Sequence, residues 1–156
     1  MTDNSEMMKL YSKRILALAA ELPNTERLEA PDASARKRSP LCGSTVTVDL
    51  ELKDNKISAY GQDVKACALG QAAASIIGKN ILGTSMAEVS DGRDQLNAML
   101  KTNGPPPNAP FEELETLLPA KDYKNRHASI LLTFDAILAA FDEISKPDPA
   151  QKSAAS

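Results

Sequence analysis

The nine residues Thr45 to Lys53, TVTVDLELK, alternate apolar and polar without a break, with Val46, Val48, Leu50 and Leu52 on one side and Thr45, Thr47, Asp49, Glu51 and Lys53 on the other. Side chains on a strand point to opposite faces in turn, so this pattern predicts a half-buried strand. Asp49 and Glu51 then read as part of a solvated face. Asp54 and Asn55 both tolerate positive φ and predict a tight turn, returning Lys56 to Lys65 antiparallel to the first strand. Gly61 is the position where that second strand would bulge.

Helical periods surround the hairpin. Tyr11, Ile15, Leu18 and Leu22 line one helical face before Pro23 ends the segment, while Leu28 to Pro40 shows no period and reads as an irregular connection. Ala66 to Gly78 predicts a helix with a thin Ala/Gly/Ser surface, ended by Gly78 and Gly83. Further helices are predicted over Ser85–Lys101, Phe111–Leu118 and about Asn125–Ser145, with the proline-rich loop Asn103–Pro110 between the first two. The last carries Ile130, Phe134, Ile137, Phe141 and Ile144 at steps of four and three. The order predicts an α+β fold, a small antiparallel sheet with helices packed on one face. With 156 residues and 42% hydrophobic content, one domain over 1–146 is expected, followed by a mobile tail over 147–156.

Charge narrows the partners. Eighteen basic against twenty-one acidic residues give a net charge of -3, and the only basic cluster is ARKRS at Ala35–Ser39, so nucleic acid is not an expected partner. No run of about 18 apolar residues is present, nor a basic stretch leading into an apolar one, which points away from a membrane and toward a cytoplasmic protein. In that compartment the two cysteines, Cys42 and Cys67, read as free thiols, metal ligands or redox groups rather than a structural disulfide.

Cys42, Cys67 and the single histidine, His127, each fall at the edge of a predicted element, where side chains from distant parts of a chain can converge. Thiolates and imidazole suit zinc or iron–sulfur chemistry, but the spacing matches no compact zinc motif. Buried inert thiols and a solvated histidine remain the alternative on these residues alone. Lys124 and Arg126, beside His127, read as ordinary exposed charge. No glycine-rich phosphate loop and no Ser/His/Asp arrangement is seen, so catalysis by this chain is not expected.

Three stretches, SPLCGSTVTVDLEL, ACALGQAAASIIGK and HASILLTFDAI, resemble the signature segments of the IscU/NifU-type iron–sulfur cluster assembly scaffolds, including the SufU branch. LYSKRIL and Pro23 resemble that family's lead-in helix, so the likeness runs from about Lys9 to Ile144. The resemblance implies the IscU/NifU N-terminal domain fold and a scaffold that is not an enzyme. Such a protein takes sulfur from a cysteine desulfurase, holds a transient [2Fe-2S] cluster or Zn²⁺, and passes the cluster to acceptor proteins. Cys42, Cys67 and His127 are the implied ligands, with Ser44 a possible accessory group.

The chain departs from the family pattern at three positions. Ala128 stands where a third cysteine follows the histidine, Ser44 replaces the aspartate after Cys-Gly, and Ala66 replaces the usual glycine before the second cysteine. Cys42, Cys67 and His127 leave an open fourth position on a tetrahedral ion, whereas a [2Fe-2S] cluster ordinarily takes four protein ligands. Three readings follow: a working scaffold using His127 and completed by an external thiol or a second subunit; a degenerate member that binds zinc or no metal and serves as a partner or regulator of cysteine desulfurase; and, from another class, a thiol redox or sulfur-transfer protein built on a Cys42/Cys67 pair.

Overall fold

The computed structural model describes residues 12–40 and 43–145. Tyr11, Cys42 and the expected tail over 147–156 lie outside the described residues. Within them the order is α1 (Lys13–Ala20), β1 (Ala33–Arg38), β2 (Thr45–Lys53), β3 (Lys56–Lys65), α2 (Ala68–Asn80), α3 (Met86–Thr102), a 3-10 segment (Glu112–Asp122), a 3-10 turn (Lys124–Arg126) and α4 (His127–Ser145).

The hairpin forms as its alternation predicts. Asp54 and Asn55 take φ of 55° and 64°, the positive-φ pair of a type I′ turn, whose twist matches that of the flanking strands. The irregularity in the ladder lies between Glu51 and Leu52 rather than at Gly61. Gly61 answers a different demand, since a Cβ there would sit 2.5 Å from the Glu26 carbonyl oxygen. The 24–28 segment presses against the strand at that point, and the Gln62 amide donates to the Asn24 carbonyl at 2.8 Å.

Leu28–Pro40 is not wholly irregular. Ala33–Arg38 pairs antiparallel with β2, Ala33 opposite Leu50 and Arg38 opposite Thr45, giving the sheet order β1-β2-β3. Its sequence, ASARKR, carries no apolar alternation because it is a short edge strand whose side chains are mostly exposed, and charge on an edge discourages pairing with other chains.

Asp49 corrects the solvated-face reading. Its side chain is fully buried and receives Arg27 at 2.6 and 2.9 Å, the Leu28 amide at 3.0 Å and the Ser34 hydroxyl at 2.5 Å. Burial alone would push this carboxyl up, but those donors outweigh it and hold it below the usual carboxylate range. The cluster fastens the 27–28 segment and β1 to the middle of β2.

Local signals set the helix ends. The Ser12 hydroxyl accepts from the Ile15 amide, and Ser85 with Glu88 forms a reciprocal capping box at the start of α3. Gly78 lies inside α2 rather than ending it, while Gly83, at φ +86°, lies in the turn beyond. Phe111–Leu118 proves to be part of a longer 3-10 segment.

The helix α4 organises the interior. It packs on β1 and β2 and against both α2 and α3, and Ile130, Phe134, Ile137 and Phe141 are buried along it. Its residues Ser129 and Thr133, one turn apart, are buried as well. A helix enclosed on nearly every side must find partners for such polar groups, and Ser129 finds them at the site.

Candidate functional site

Three elements meet where the first turn of α2 faces the first turn of α4. Cys67 is the residue preceding α2, in extended conformation with its carbonyl accepting from the Gln71 amide at 2.9 Å. The unpaired amides of a helix start favour negative charge there. No amide makes a formal capping hydrogen bond to the sulfur, but the Leu69 and Gly70 N–H groups face it closely enough to favour its anion.

The half-buried thiol has two further partners. Ser129 Oγ lies 3.7 Å from Cys67 Sγ, and the Arg126 side chain stands near enough to favour the sulfur's anion. Burial pushes the Cys67 thiol up, but Gly70, Ser129, Arg126 and Leu69 together outweigh it and hold it below its ordinary value. Arg126, which the sequence reads as plain exposed charge, is thus a partner of the cysteine.

Ser129 joins the site to the hairpin. Its hydroxyl is 3.0 Å from that of Ser44, and both residues are buried. Gly43, at φ +69°, turns the chain just before Ser44. The loop is clipped by the Ser39 amide donating to the Ser44 carbonyl and the Gly43 amide donating to the Ser39 carbonyl, both at 2.8 Å. Gly70 makes room for Ser129: a Cβ on it would stand 2.7 Å from the Ser129 hydroxyl oxygen.

His127 opens α4, two residues before Ser129, and is only 2% exposed, which removes the solvated-histidine alternative. Its Nε2 lies 3.0 Å from the carbonyl oxygens of Ala120 and of Lys121. Carbonyl oxygens only accept, so Nε2 carries the proton and donates, leaving Nδ1 with a lone pair. That Nδ1 is buried and has no hydrogen-bond partner. Metal-binding histidines are oriented in the same way, one nitrogen donating to a carbonyl and the other left bare.

The structure therefore joins Cys67, Ser129 and Ser44 in one hydrogen-bonded chain, with His127 on the same turn of α4 as Ser129. Among the described residues no group of three or more His, Cys, Asp or Glu side chains is close enough to hold a metal ion. The third expected donor, Cys42, lies outside the described residues. No described helix is long and apolar enough to cross a membrane. Sequence reasoning missed Ser129, although a serine within an otherwise enclosed helix is a signal that a buried hydroxyl needs a partner.

A three-stranded antiparallel sheet backed by helices, with a thiol at a helix start and a buried histidine opening the last helix, defines a small α+β domain. The chain is 42% identical to a nitrogen-fixing NifU-like protein (N-terminal) from Brucella abortus, whose crystal structure it matches with a TM-score of 0.88 over 92% of this chain and 99% of that one. It belongs to the NifU-like N-terminal family. The same fold, at 18% identity and a TM-score of 0.77, is found in a putative iron-sulfur cluster assembly scaffold protein for the SUF system from thermophilic Fervidobacterium islandicum AW-1, covering 85% of this chain and 97% of that one. A hypothetical protein matches at a TM-score of 0.72 and 18% identity, over 89% of this chain and 99% of its own. No protein-family model and no curated protein matches the chain by sequence.

Proposed function

We propose that this protein is an iron–sulfur cluster assembly scaffold of one domain over 1–146, carrying a nascent [2Fe-2S] cluster or a metal ion as cargo at Cys42, Cys67 and His127. What supports the reading is that two donor side chains, one at the start of α2 and one at the start of α4, are each prepared for ligation. Cys67 has its thiolate favoured by a helix start, a hydroxyl and a guanidinium, and His127 is buried with its Nε2 committed and its Nδ1 bare.

In this reading Cys67 Sγ and His127 Nδ1 are two donors and Cys42 the third. Ser44 acts through Ser129 rather than as a ligand, because its hydroxyl is engaged with the serine that contacts Cys67. A neutral hydroxyl is a weak donor to a metal beside a thiolate or an imidazole. The family resemblance supplies the partners of this reading: a cysteine desulfurase as sulfur source and acceptor proteins for the finished cluster. The protein binds and hands over rather than catalyses.

A second reading is favoured by the donor count. Two thiolates and one imidazole neutralise Zn²⁺ and suit its tetrahedral site with one open position, as in a zinc-binding member that acts on cysteine desulfurase without building clusters. Anaerobic reconstitution with iron and sulfide separates the two. A stoichiometric brown product with iron and sulfide in equal amounts supports the scaffold; protein that retains only zinc supports the alternative; metal content unchanged in Cys67→Ala refutes both.

A further inference from the structure

We propose that the outer edge of β1 takes up an extended acidic segment of a partner protein as a fourth strand of the sheet, laid along the flank of α4. Such binding is separate from the scaffold reading and involves no metal. β1 stands at one end of the sheet order β1-β2-β3. The Ser39 amide donates to the Ser44 carbonyl, which fixes the phase of the ladder, because hydrogen-bonded pairs alternate along antiparallel strands. Ala35 and Lys37 therefore bond to β2, opposite Val48 and Val46, while the N–H and C=O groups of Ser34, Arg36 and Arg38 point away from it. Among the described residues no backbone group pairs with them on that side.

α4 leaves room for that strand. A groove of about 310 Å³ opens between the end of β1 and the helix. Ala128, Leu132, Asp135, Ala139 and Asp142 line it at steps of four and three, which makes them one stripe of α4. At about 1.5 Å per residue that stripe is about 21 Å long. Six residues of strand, the length of β1, cover about 20 Å at about 3.3 Å each. The exposed flank of the helix thus matches one added strand in length.

Charge selects the occupant. Residues opposite one another in an antiparallel pair share a face, so Lys37, opposite the buried Val46, stands on the α4 face, and Arg36 and Arg38, opposite Thr47 and Thr45, on the other. None of the three is in an ion pair among the described residues. A strand bonded to Arg36 and Arg38 sets its own side chains beside theirs, where opposite charge is favourable. On the α4 face Asp135 and Asp142 oppose acids, while Leu132, Leu138 and Ala139 favour small apolar side chains. The matching segment therefore alternates acidic and apolar residues. A second copy of β1 would set basic residues against basic ones, and a nucleic acid would bring phosphates against the α4 carboxylates.

The probe is the peptide acetyl-Glu-Val-Glu-Val-Glu-Val-amide, titrated to millimolar concentration into the whole protein and followed by amide hydrogen exchange in nuclear magnetic resonance. Its Lys-Val counterpart and a short oligothymidylate serve as comparisons. With the Glu peptide, exchange is expected to slow saturably at Ser34, Arg36 and Arg38 and to change little at Ala35 and Lys37, whose N–H groups already bond β2. Arg36→Ala and Arg38→Ala should each weaken binding about two- to fivefold, as for one cross-strand charge pair. Arg36→Pro removes an outward N–H and no bond to β2, as proline on a sheet edge does, so it should keep the fold and abolish the binding. Arg36→Glu with Arg38→Glu should reject the Glu peptide and bind the Lys peptide.

No saturable slowing at the three outward amides overturns the inference. So does binding to Arg36→Pro as tight as to Arg36→Ala, which would mean that charge alone holds the peptide. Equal affinity for the oligothymidylate would make the edge a general polyanion patch and refute a strand partner. Protection of the same amides without peptide, rising with protein concentration, would assign the edge to a second copy of this chain instead.

Discussion

Gly70→Ala sets two effects of opposite sign against each other. In a helix, alanine is favoured over glycine by about 1 kcal/mol, so propensity alone makes this substitution stabilising. The structure places the new methyl carbon 2.7 Å from Ser129 Oγ, 2.9 Å from Ala66 Cβ and 3.2 Å from the Ser129 carbonyl oxygen, contacts that cannot persist. The hydroxyl can rotate away, but it then gives up Ser44 at 3.0 Å and Cys67 at 3.7 Å. Leaving a buried hydroxyl without a partner costs about 1–3 kcal/mol, and backbone movement adds to that. The net expectation is a loss of about 1 kcal/mol, a fall in Tm of about 3–5 °C for a domain of this size. Slower alkylation of Cys67 at neutral pH should accompany it, because the displaced hydroxyl no longer supports the thiolate. Urea unfolding gives the first number and timed iodoacetamide labelling with peptide mass analysis the second. Ser129→Ala in the same chain removes the nearest clash and should recover part of the stability but not the reactivity. A Gly70→Ala protein stabilised by the full propensity gain, with Cys67 labelling unchanged, would refute the packing argument.

Other predictions follow from neighbouring groups. Arg126→Gln removes one of the interactions that favour the Cys67 thiolate, so the pH midpoint of Cys67 labelling should rise and the neutral-pH rate fall several-fold, measured with unfolded protein as reference. Asp49→Asn should cost about 2 kcal/mol at neutral pH, since a buried acceptor of charged and neutral donors is weakened. Because the folded-state value of Asp49 is depressed, its contribution is fully present above the ordinary carboxylate value of about 4 and is lost as pH falls through the lower folded value. Urea unfolding across acidic pH should therefore show a steeper decline for the wild type than for Asp49→Asn. His127→Phe fills the buried space without a donor, and should reduce zinc affinity by tenfold or more while moving Tm by a few degrees, read by competition with a chromophoric chelator.

How far the sequence spoke for the fold depended on how local each cause was. The β2–β3 hairpin was legible because its signals, alternation and the Asp54–Asn55 turn, are confined to adjacent residues. The β1 strand was not, since ASARKR takes its conformation from pairing with β2 and its edge position removes the need for apolar alternation. Asp49 was misjudged because its partner Arg27 is 22 positions away, and period counts only see neighbours. Cys67 and His127 do fall at the edges of elements, as their places in the sequence predicted. What stayed hidden was Ser129, 62 positions from the thiol it contacts, and the committed Nε2 of His127, which depends on carbonyl groups exposed by the irregular 3-10 segment.

The account stands or falls on whether Cys67 and His127 act on one metal atom. X-ray absorption at the zinc edge, on protein loaded anaerobically with one equivalent, tests this directly. Mixed coordination is predicted, with sulfur scattering reduced in Cys67→Ala and imidazole scattering lost in His127→Phe. A first shell that neither substitution alters would contradict it.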